Sequence, residues 1–141
     1  MIAYGSTDKG MVRPTNQDSF AIELLEGLNS ALLVVCDGMG GANAGNVASK
    51  FALDRFLLEM KQGIRADMTQ ADVEDLLRIA AQCSNQSVFE LSMQQPEFRG
   101  MGTTLVCALV QNNQAEILNV GDSRAYRIRP HDMEQLTEDH S

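Results

Sequence analysis

The stretch that decides the reading of this chain is Ala31-Leu32-Leu33-Val34-Val35-Cys36-Asp37-Gly38-Met39-Gly40-Gly41. An aliphatic, β-branched run ends abruptly on a carboxylate, and a glycine turn follows. Such a run reads as a buried strand. A carboxylate at its end sits where the backbone leaves the core and meets ligand. The glycines let main-chain groups approach that ligand closely. Asp37 is therefore the first candidate for chemistry.

The flanking sequence extends this strand into an architecture. Upstream, residues 18–25 alternate with period two and place Phe20, Ile22 and Leu24 on one face of a second strand. Residues 26–30 read as a turn, and residues 1–9 as a short strand. Downstream, a helix is expected from Asn43 to 61–63, with Ala44, Val47, Ala48, Phe51, Ala52 and Leu58 as its apolar stripe. Thr69-Gln-Ala-Asp72 is a capping box with Asp in place of Glu, and it opens a second helix. Val73, Leu76, Leu77, Ala80, Ala81, Ser84, Val88 and Leu91 follow at helical spacing, and Pro96 ends the helix. Beyond Gly100 the period returns to two. Residues 102–111 and 115–122 form a hairpin about an Asn112-Asn113 turn, 124–129 continue the return strand, and 133–136 form a last short strand. Strands, two helices, then strands is the α+β pattern, with helices packed on antiparallel sheet.

Composition narrows the function. The chain has 141 residues, the size of one domain, and is 44% hydrophobic and 21% charged. Its formal net charge of -8 argues against nucleic acid or an anionic membrane as partner, since either requires a basic footprint. No apolar run approaches the roughly 20 residues that span a bilayer. No basic segment followed by an apolar one opens the chain, so no signal peptide is expected. Cys36, Cys83 and Cys107 are odd in number and widely spaced. They read as free thiols in a reducing cytoplasm, and neither they nor His131 and His140 have zinc-ligand spacing.

Three aspartates lie at strand ends or turns: Asp18 in Arg13-Pro-Thr-Asn-Gln-Asp18, Asp37 in Asp37-Gly-Met-Gly-Gly, and Asp122 in Asn119-Val-Gly-Asp122-Ser-Arg. One Asp-Gly at a strand end is commonly just a turn. Carboxylates converging from several strands are what Mg²⁺ or Mn²⁺ require, and paired-metal sites of this kind recur in phosphoester hydrolysis. Arg13 supplies the complementary half, because a guanidinium forks onto phosphate oxygens.

These motifs, together with Met101-Gly-Thr-Thr-Leu and Leu136-Thr-Glu-Asp-His-Ser141, occur in an order that resembles the metal-dependent Ser/Thr protein phosphatases (the PPM, or type-2C, family), in particular its compact bacterial members. The resemblance covers nearly the whole chain. It implies stacked antiparallel β-sheets flanked by helices, a four-layer sandwich of which residues 1–141 form the N-terminal portion of a single catalytic domain. It implies hydrolysis of phosphoserine and phosphothreonine in phosphorylated proteins by a metal-activated water, opposing Ser/Thr kinases. Asp37 would bridge two Mn²⁺ or Mg²⁺ ions, the Gly38 carbonyl would ligate one, and Asp18 would hold a metal-bound water. Asp122 would help to hold a third ion, Arg13 would bind the phosphate, and the Gly102-Thr-Thr strand would be mostly scaffold.

Two departures qualify the resemblance. Met39 stands where many eukaryotic members carry a histidine proposed as general acid, and a thioether donates no proton. The family's remaining segment supplies a flap, further strands and two more metal-binding aspartates. Asp132, Glu134, Glu138 and Asp139 read as surface residues rather than replacements for them. The chain alone is therefore expected to be weakly active or inactive, with exposed sheet edges open to dimerisation, to strand exchange or to pairing beside its other half. The competing reading is a phosphatase-like half-domain that binds a partner without turnover. A dinucleotide-binding reading of the glycine turn fails because the third glycine of G-x-G-x-x-G is missing and no P-loop lysine follows.

Overall fold

Strand β2 (Ser30–Met39) is the centre of the main sheet. The computed structural model describes the chain apart from Glu26, Ala42 and Ser141. The start of the turn at 26–30, the Ala42 of the glycine segment and the last residue of the 136–141 motif thus lie outside the described residues. β1 (Asp18–Leu25) pairs with one side of β2. β4 (Leu105–Gln111) pairs with the other, and β5 (Gln114–Val120) pairs with β4. The two-residue β3 (Gly102–Thr103) extends β2 at its Asp37 end by pairing with Gly38 and Met39. All of these pairings are antiparallel, as expected from the hairpin-like connections. A separate two-stranded ribbon, β6 (Tyr126–Arg129) with β7 (Asp132–Gln135), completes the α+β architecture.

The two expected helices form as α1 (Ala44–Gly63) and α2 (Gln70–Gln94). The Thr69 hydroxyl accepts from the Asp72 N–H at 3.1 Å, and the Asp72 carboxylate accepts from the Thr69 N–H at 3.0 Å, closing the capping box. Both helices lie on the same sheet face. Leu32, Val34 and Cys36 of β2 and Leu105, Cys107 and Leu109 of β4 pack with Leu53, Phe56 and Met60 of α1 and Val73, Leu77 and Ala80 of α2. Small residues let the layers come close: the Ser84 hydroxyl donates to the Ala52 carbonyl at 2.8 Å, and the Ser19 and Ser49 hydroxyls meet at 3.0 Å. Cys36 and Cys107 are buried here as free thiols, and burial first of all pushes both up to about 12. They are inert packing residues.

Three expectations are corrected. Residues 1–9 form no strand. Residues 124–129 do not continue β5, because Gly121 turns the chain with φ +108° and the strand after it pairs with β7 instead. The α1 stripe is rotated from its expected place. Phe51 and Leu58 are exposed at 41% and 45%, whereas Phe56 is fully buried along with Leu53 and Met60. Alanines dominate the first half of α1, so a stripe traced through them drifts when it is continued past Ala52.

This rotation has a measurable consequence. Phe56→Ala removes a fully enclosed ring and should cost about 3–5 kcal/mol of unfolding free energy. Phe51→Ala should change it by within about 0.5 kcal/mol, both read from urea melts.

Candidate active site

The first register pair of the β1–β2 ladder is Asp18 opposite Asp37. The pleat continues with Phe20 opposite Val35 and Ile22 opposite Leu33. Because Leu32, Val34 and Cys36 point at the helices, this alternate set lies on the face turned away from them. Two carboxylates therefore meet side by side at the mouth of the sheet, beside a cleft of about 210 Å³ lined also by Asp8, Lys9, Arg13, Asn16 and Gln17.

Local hydrogen bonds hold that mouth. Asn16 accepts from the Asp18 N–H at 3.0 Å and donates to the Thr7 hydroxyl at 2.8 Å, which fixes the loop carrying Arg13. The Gly38 N–H donates to the Gln17 carbonyl at 3.0 Å. A Cβ on Gly38 would fall 1.9 Å from the Gly45 carbonyl oxygen, so only glycine lets the chain pass between residue 17 and the start of α1. On its other side Asp37 is gripped by one residue. Its N–H donates to the Thr104 hydroxyl at 2.9 Å, and its carbonyl accepts from the Thr104 N–H at 2.9 Å. The same hydroxyl lies 2.6 Å from the Ser123 hydroxyl, next to Asp122.

The electrostatics record the convergence. Partial desolvation raises the Asp37 carboxyl above the ordinary aspartate range. The hydrogen-bonded carboxyl of Asp18, its charge and the charge of Asp122 push the same way, and Arg13 opposes them. The structure thus brings Asp18, Asp37, Asp122 and Arg13, aspartates from three separate motifs and the arginine upstream of the first, into one field. Among the described residues no group of three or more His, Cys, Asp or Glu side chains is close enough to enclose an ion. The donors that do meet are carboxylate oxygens, the kind that suits a hard divalent cation and leaves room for its waters.

Other acidic residues are spent elsewhere. Asp139 takes a two-pronged bond from Arg124 at 2.9 and 2.6 Å, while Asp132 and Glu134 pair with Arg129 and Arg127 on the ribbon. The surface assignment of these three residues stands. Three participants escaped the sequence reading. Lys9 joins Arg13 in the cleft from a segment read as strand. Gln17 supplies the carbonyl that holds Gly38. Thr104 was expected as scaffold, and only its place in the Gly102-Thr-Thr motif hinted at more.

The match with a family model for protein phosphatase 2C runs over residues 12–141, most of the chain. The chain belongs to the protein phosphatase 2C family. The serine/threonine phosphatase stp of Listeria monocytogenes is 39% identical over 141 residues, all of this chain and 55% of its own length. The chain therefore spans about half the length of this curated relative. Among solved structures, the serine/threonine phosphatase Stp1 from Staphylococcus aureus superposes with a TM-score of 0.84 at 43% identity, covering 96% of this chain and 52% of that one. The PPM Ser-Thr phosphatase MsPP from Mycobacterium smegmatis, solved in complex with cacodylate, gives 0.72 at 37% identity over 96% of this chain and 52% of that one. The stacking of helices on antiparallel sheet seen here is thus the fold of PPM phosphatases. No helix among the described residues is long and apolar enough to cross a membrane.

For this phosphatase-family chain the paired carboxylates carry a stability cost. A carboxyl raised in the folded state binds more protons there than in the unfolded chain, so stability falls as pH rises from the ordinary aspartate range through the raised value. Asp18→Asn relieves the repulsion. In chelator it should stabilise the chain at pH 7, flatten that decline, and have little effect at pH 3. Water screens the largely exposed pair, which keeps the gain within about 1 kcal/mol. Thermal melts across pH read it directly.

Proposed function

We propose that this chain carries the metal-binding and phosphate-binding core of a protein serine/threonine phosphatase that hydrolyses phosphoserine and phosphothreonine in proteins and opposes Ser/Thr kinases. The observation that carries the proposal is the Asp18–Asp37 pair at the end of the β1–β2 ladder, with Asp122 and Arg13 within electrostatic reach. Family membership supports it, as do the phosphatase names of the relatives.

In this reading the Asp37 carboxylate and the Gly38 carbonyl hold Mn²⁺ or Mg²⁺, Asp18 orients a water beside them, and Asp122 lends charge from the far side. The cation, when bound, supplies Lewis acidity and lowers the pKa of water. Arg13 faces the same cleft and clamps phosphate oxygens, with Lys9 as a second cation beside it. The tetrahedral oxyanion held by the M. smegmatis enzyme is the shape such a cleft would take. Met39 is exposed next to the site and donates no proton, so solvent protonates the leaving hydroxyl. The Asp37 carboxylate and the Gly38 carbonyl would offer a cation few protein ligands, so this chain would bind its cations weakly and turn over slowly.

Turnover of a phosphothreonine peptide with added Mn²⁺ tests this. Phosphate release should vanish in EDTA, and Asp37→Ala should lower kcat/KM by about 100-fold or more. Arg13→Ala should act mainly on KM, by about tenfold. Manganese-dependent peptide binding without release would instead favour the non-catalytic half-domain.

A further inference from the structure

Among the described residues, Thr104 is bonded at once to Asp37 and to the segment carrying Asp122. Its N–H and hydroxyl satisfy the Asp37 carbonyl and N–H, and the hydroxyl continues to Ser123 at 2.6 Å. It is buried, at 5% exposure, so these bonds are shielded from competing water. Gly121 is pressed against the same side chain: with φ +108°, a Cβ there would lie 2.7 Å from the Thr104 methyl carbon. Thr104 therefore touches both walls of the aspartate cluster, its hydroxyl reaching Asp37 and Ser123 and its methyl packing on Gly121.

We infer that Thr104 is a positioning residue that sets the separation of Asp37 and Asp122 through a hydroxyl bridge to Ser123. The inference rests on the metal reading proposed above and adds to it how the second aspartate is brought to the first. The 119–125 segment is stitched on its outer side as well. The Asn119 amide donates to the Gly121 and Glu138 carbonyls, the His140 N–H donates to the Gly121 carbonyl, and the Thr137 hydroxyl accepts from the Ala125 N–H. These bonds keep the loop folded without tying it to β2. The Thr104–Ser123 contact does tie it. Losing it should leave the fold intact while Asp122 drifts from Asp37.

Manganese titration of the whole chain, followed by paramagnetic broadening of the Asp37 and Asp122 amide signals, separates these roles. In the unsubstituted chain Mn²⁺ should broaden both. Ser123→Ala should keep the Asp37 effect and weaken the Asp122 effect by about 3- to 10-fold, the scale of one lost hydrogen bond. Ser123→Thr should restore it. Thr104→Ser, which keeps the hydroxyl, should behave as the unsubstituted chain, and Thr104→Val, where it folds, should lose the Asp122 effect. Equal broadening of Asp122 in the unsubstituted and Ser123→Ala chains overturns the bridge. Absence of broadening at Asp37 in the unsubstituted chain overturns the metal reading, and the bridge with it.

Discussion

Two like charges held opposite each other at the end of an antiparallel ladder form an arrangement that a protein built only for stability would avoid. Asp18 and Asp37 are the terminal register pair of β1 and β2, and their repulsion is worsened by Asp122 and only partly relieved by Arg13. The rest of the structure explains how that pair is kept in place. The apolar register behind it leaves no alternative, because a slip of one residue would turn Leu32, Val34 and Cys36 away from the helices. Thr104 and Gln17 hold the main chain of residues 37 and 38 from two sides. The cost of crowding carboxylates is met by burial elsewhere, in the layer of Leu53, Phe56, Met60, Val73 and Leu77.

What was legible in the sequence was whatever rests on local chemistry. An unbroken aliphatic run ending on Asp-Gly named β2 and its functional end. The Thr69–Asp72 box named the start of α2, because a cap is made by residues three apart and needs no tertiary context. The surface placement of Asp132 and Glu134 was legible, since alternate charges on a short ribbon have no core to reach; their ion pairs with Arg129 and Arg127 were not.

What was not legible depends on contacts between distant segments. The buried face of α1 is decided by which side meets β2 and α2, and alanines at 44, 48 and 52 carry too little apolar contrast to mark it. Residues 124–129 alternate like a continuation of β5. Only the turn at Gly121, beside Thr104, sends them into a second sheet. The convergence of the three aspartates was expected from their motifs, but the contacts that accompany it, the Asp18–Asp37 register pair and the Thr104–Ser123 contact between residues 19 apart, were not legible. Membership of the protein phosphatase 2C family and the solved relatives agree with the fold that carries these residues.

The central claim is that Asp18 and Asp37 converge to build a divalent-cation site, Asp37 as ligand and Asp18 through a water, rather than merely tolerating each other. A cation that binds only the folded chain stabilises it by an amount that grows with the logarithm of its excess over Kd. Thermal unfolding with increasing Mn²⁺ is therefore the most direct measurement. The account predicts a midpoint that climbs with Mn²⁺ in the unsubstituted chain and stays flat in Asp37→Asn. A midpoint that ignores Mn²⁺, or that climbs equally in both chains, would contradict it.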